Sequence, residues 1–121
     1  MSRRGTAALA AAAESLREEL AAATAAVPGV ARFEPTLRNA LRRLHAGTTV
    51  LLDGRSIRSA ADGVALHRRG DVVDVHVDLV TDDTRPAVVT VREVRVALGD
   101  VLIAQQLVPG ELTVAVLSIQ R

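Results

Sequence analysis

From Val72 to Ile119 the apolar pattern of the chain changes period twice, and this restricts the fold more than any other feature. Val73, Val75, Val77 and Leu79 alternate with Asp74, His76 and Asp78, the period of a strand with one face in the core and one in water. Between Pro86 and Leu107, Val91, Val94, Leu98, Val101 and Leu102 share one helical stripe, whereas a strand reading must switch parity after Val91 and needs a bulge. The pattern predicts a helix, although valine is slightly unfavourable in one and Gly99 costs about 1 kcal/mol or ends it early. Asp82, Asp83 and Thr84 ahead of Pro86 offer capping oxygens and negative charge at the positive end of its dipole. Pro109-Gly110 is expected to turn the chain into a last strand, where Leu112, Val114 and Val116 oppose Ala115, Leu117 and Ile119. Apolar residues on both faces predict that this strand is covered on both sides and central in the sheet. Parallel neighbours joined by this helix should have a right-handed crossover.

The preceding residues supply the other layer. An alanine-rich helix is expected to reach Ala26, with Leu9, Leu16, Leu20 and Val27 on one stripe. The twin arginine before it has the outline of a signal sequence, but the apolar run Ala7 to Ala13 is at the short limit for a signal core, so a helix is the expectation. Val27-Pro28-Gly29-Val30 is a turn, and Pro35 to His45 reads as a second helix with Leu37, Leu41 and Leu44 inward and Arg38, Arg42 and Arg43 outward. Thr48 to Leu52 could be a short strand, Asp53-Gly54 a turn and Ser56 to Asp62 a loop. Val64 to His67 should pair with Val72 onward as a hairpin. The sum is one α+β domain over residues 1–121, a small mixed sheet of about three strands packed by two or three helices.

Composition narrows what such a domain can do. No cysteine is present among the 121 residues, which removes disulfides, thiolate nucleophiles and cysteine metal sites and fits a reducing compartment. Residues 1–69 hold 11 Arg against 6 acidic residues, +5, and residues 70–121 hold 4 Arg against 8, −4, so the molecule is expected to be dipolar. No apolar run approaches the length of a membrane span, so membrane association would be peripheral or through a partner.

Three constellations merit weighing. Arg38, Arg42 and Arg43 on one helix could meet phosphate or anionic lipid, or form an ordinary solvated face. With Arg32 they define an alternative function, a small nucleic-acid-binding module, which the lack of aromatic stacking residues argues against. Asp74, His76 and Asp78 share a strand face and suit a divalent metal in chemistry, but neighbours stand about 6.7 Å apart and the outer pair roughly 13 Å, which leaves a solvated strand face as the plainer reading. Gly54-Arg55-Ser56-Ile57-Arg58 lacks the second glycine of a nucleophile elbow, and no glycine-rich phosphate loop occurs. Nothing declares catalysis, and no cofactor, metal or small-molecule substrate is expected.

The helix ending in Val27-Pro28-Gly29-Val30-Ala31, the irregular middle, Gly63-Val64 opening a strand, the Val72 to Val80 strand, the proline-started helix and the closing Val114-Ala115-Val116 strand together resemble the bacterial alkaline shock protein family, the envelope stress response proteins. The likeness runs from about Ala8 to Ile119 and is one of segment order. It implies a cytoplasmic, non-enzymatic scaffold that associates with itself and with a small membrane-anchored partner in cell-envelope homeostasis. For such a scaffold the dipolar charge split and the lack of any catalytic site make the sheet edge, the Arg38, Arg42, Arg43 face and the Asp74, His76, Asp78 face the candidate contact surfaces. The valine-rich helix and alanine-rich start depart from the family's usual pattern.

Overall fold

The computed structural model describes residues 3–34 and 63–121. The helix expected over Pro35 to His45, with Arg38, Arg42 and Arg43, and the elements expected over Thr48 to Asp62 lie outside the described residues, as does the side chain of Leu9.

Helix α1 spans Arg3–Ala25. Alanine loses no side-chain entropy in a helix, and the leucines set the buried face. Leu16, Leu20, Ala21 and Thr24 are buried, as is Val27 just beyond the end, and the Thr24 hydroxyl donates to the Leu20 carbonyl at 2.8 Å. Gly29 then reverses the chain at φ +99°, pressed so close to the Thr90 hydroxyl that a β-carbon would collide with it. Only glycine satisfies both demands.

Strand β1, Val30–Phe33, follows at once, a strand that the sequence reading did not anticipate. Four residues with Val30 and Phe33 only half-buried carry too short a pattern to register; pairing with a longer strand makes this one. Strand β2, Val64–Arg69, forms the expected hairpin with β3, Val72–Asp82, through Gly70-Asp71, with Gly70 at φ +61°. Helix α2, Ala87–Ala104, leads to β4, Val108–Gln120, which runs parallel to β3. The fold is α+β, with a small mixed sheet packed by helices, four strands and two helices being described.

The expectation that the last strand is central is corrected for the strands described. β3 is central, with β1 and β2 along one edge and β4 along the other, and among the described residues β4 pairs with β3 alone. Apolar residues on two faces speak of coverage above and below a strand, and say nothing about neighbours beside it. In β4, Leu117 and Ile119 are more than half exposed.

Two further expectations change at the ends of α2. Asp82 does not cap it: its Oδ1 accepts from the Thr84 backbone N–H and hydroxyl, closing a local turn, while the N-cap is Pro86 with no side-chain cap. The chain turn after α2 is at Gln105-Gln106, with Gln106 at φ +62° and the Leu107 N–H bonded to the Leu102 carbonyl, so Pro109-Gly110 lies inside β4. The helix itself passes through Gly99 intact, because Thr90, Val94, Leu98 and Leu102, four residues apart, are all fully buried. That burial, at about 1.5–3 kcal/mol for each large side chain, outweighs valine penalties of a fraction of a kcal/mol.

The core lies between the sheet and the helices. Val64, Val73, Val75, Val77 and Leu79 face Leu16 and Leu20 of α1 and Val94, Leu98 and Leu102 of α2, with Phe33 packed at the margin.

Candidate functional site

Asp74, His76 and Asp78 are brought to the face of β3 turned away from the core, as the alternation requires, and all three are half-buried. The register sets His67 of β2 beside Asp74, and Ala65 and Thr113 on either side of His76. Asp74 Oδ1 accepts from the Glu111 backbone N–H at 2.8 Å and from Arg69 at 3.1 Å. The Glu111 N–H, and then Arg69, hold the Asp74 carboxyl below the usual carboxylate range against the opposing effect of burial. His76 Nε2 lies 2.8 Å from Asp78 Oδ1. Their partners are therefore mostly within the sheet: Asp74 ties the start of β4 to β3 where the ladder is irregular, and Asp78 orients an imidazole. Among the described residues no three His, Cys, Asp or Glu side chains gather as a metal would need.

Sequence reasoning missed Arg69 and the Glu111 N–H as partners of Asp74. The hairpin turn, once fixed, would have revealed the cross-strand neighbours, but the contact to β4 spans 37 positions and depends on the crossover. Of the arginines assigned to nucleic acid, Arg32 is described, and it donates to Glu34 and Gln120 at 3.1 Å each.

A second surface was not foreseen as such. Val88, Val96 and Ile103 of α2 and Val108, Leu117 and Ile119 of β4 are each more than half exposed. α2 is apolar on two sides, and its second side has no counterpart among the described residues. Arg85, which bridges to Glu93 at 2.7 and 3.0 Å, lies at the start of this helix. No described helix is long and apolar enough to cross a membrane.

No family model, no curated protein and no solved structure matches the chain.

Proposed function

We propose that this protein is a non-enzymatic scaffold or adaptor, similar to the bacterial envelope stress response proteins, that works in the cytoplasm by self-association and by holding a small membrane-anchored partner. One observation carries the reading: six large aliphatic side chains stand more than half exposed on one helix and one strand, an arrangement that a solitary domain gains nothing from and a binding protein uses. The carboxylates of the polar strand face support it, because Asp74 and Asp78 are already engaged in tying and orienting neighbours. The order of segments supports the likeness to the alkaline shock family.

The test is co-sedimentation of the full chain with membranes from its source cells, before and after trypsin has stripped their exposed proteins. Attachment that trypsin abolishes is expected. A chain that ignores intact membranes and stays monomeric at every concentration defeats the proposal.

A further inference from the structure

Taking the scaffold reading as its premise, the geometry goes further and names a surface: we infer that the edge of β4 that has no partner strand among the described residues pairs antiparallel with the same edge of a second copy, making one sheet continuous across a two-fold axis.

An edge strand exposes a row of backbone donors and acceptors, and proteins that remain monomers blunt such edges with charge, proline or very short strands. β4 does none of this from Leu112 to Val116, the regular stretch that ends where the ladder skips Leu117, with Leu79 opposite Val116 and Val80 opposite Ser118. Leu112-Thr113-Val114-Ala115-Val116-Leu117-Ser118-Ile119 is eight residues without a charge or a proline, rich in β-branched side chains, at the margin of a 13-residue strand. On the side of the helices, Leu112, Val114 and Val116 are only partly buried, so among the described residues the core is open at this edge.

The edge is complementary to itself. A two-fold axis through Val114 sets Val114 against Val114 of the second copy and Leu112 against its Val116 on the helix side, and Thr113 against its Ala115 on the other. Glu111, the one acid in β4, then meets Leu117 of the second copy and not its own like charge.

Area decides how much must join in. The uncharged stretch of the edge, one sheet thick, offers roughly 300 Å2, short of the roughly 800 Å2 per partner of a standard interface. The exposed stripe of α2 lies where the remainder is needed. Gly99 faces β4, since a β-carbon built there would come 3.9 Å from Leu112 Cδ1. At 100° per residue Val88, Ile103 and Val96 fall within about 60° of Gly99 around the helix. Both exposed aliphatic groups therefore border one edge of the molecule.

The chain's lack of cysteine makes the test direct. Directly opposed residues across an antiparallel pair have Cα atoms about 4.5–5.5 Å apart, within reach of a disulfide. The full-length Val114→Cys variant should oxidise to a covalent dimer, while Leu112→Cys, about 13 Å from its own copy in this register, should not. Light scattering on the cysteine-free chain should show mass rising from one copy to two with concentration. Leu117→Glu, which sets a like charge against Glu111 of the second copy, and Ile103→Glu, at positions open enough to leave the fold intact, should each weaken the dimer about tenfold with an unchanged circular dichroism spectrum. A monomer at all concentrations, or a dimer that Val114→Cys fails to lock, overturns the inference. Trypsin-sensitive membrane attachment by such a monomer would leave the scaffold reading standing while removing this edge from it. A locked dimer that attaches to no membrane would leave this edge standing and remove the membrane-anchored partner from the scaffold reading.

Discussion

Asp74 holds three segments through one oxygen, accepting from Glu111 and Arg69 while occupying the space that a side chain at Gly110 would need. Both donors favour the ionised carboxylate, so its folded pKa lies below the unfolded value near 3.8. Stability gained from this ionisation is therefore complete above that value and is lost as pH falls through the folded one. Asp82, held down by the Thr84 hydroxyl and N–H, contributes with the same sign. The Asp74→Asn variant should lose part of the acid limb: its urea midpoint, followed from about pH 5 to pH 2, should fall less steeply than that of the parent, with the Asp82 share remaining. An unchanged slope would mean that the Glu111 and Arg69 contacts are worth no more folded than unfolded. Alternation alone located Asp74 on the polar face; that its work is structural depended on a partner from a strand far along the chain.

At the scale of elements, α2 shows where sequence signals fade. Its body was legible because Val94, Leu98, Val101 and Leu102 repeat at helical spacing, and its end was not, because the residue that ends it is a glutamine in a backbone region that glycine usually fills. Pro109-Gly110 looked like the turn and is strand. At φ +62°, Gln106 carries a left-handed cost that glycine would avoid, partly offset by glycine's greater freedom when unfolded. Gln106→Gly should raise stability by about 0.5–1 kcal/mol, seen as a higher urea midpoint with the same slope. A lower midpoint would show that the Gln106 side chain holds something its backbone cost conceals.

Across the whole molecule, β1 and β2 are one interrupted strand. Val30 to Phe33 descend along β3 from Thr81 to Leu79, the Glu34 N–H bonds the Asp78 carbonyl, and Val64 resumes opposite Val77. A β-carbon at Gly63 would press on Phe33 and the Glu34 carbonyl, so Glu34 and Gly63 meet at one point of the sheet. Joining Glu34 directly to Val64 keeps the register, and that deletion should fold cooperatively with the helix and strand signals of circular dichroism retained. A chain that no longer melts cooperatively would show that residues 35–63 contribute to the core. The chain's own pattern determined the period of each long element, the hairpin through Gly70-Asp71 and the polar face of β3, because these follow from neighbours a few positions apart. Only the tertiary structure decided that among the described strands β3 and not β4 is central, that four residues at Val30 make a strand, and that the described edge at β4 is apolar, because lateral pairing is settled between segments far apart in sequence and leaves no period to read.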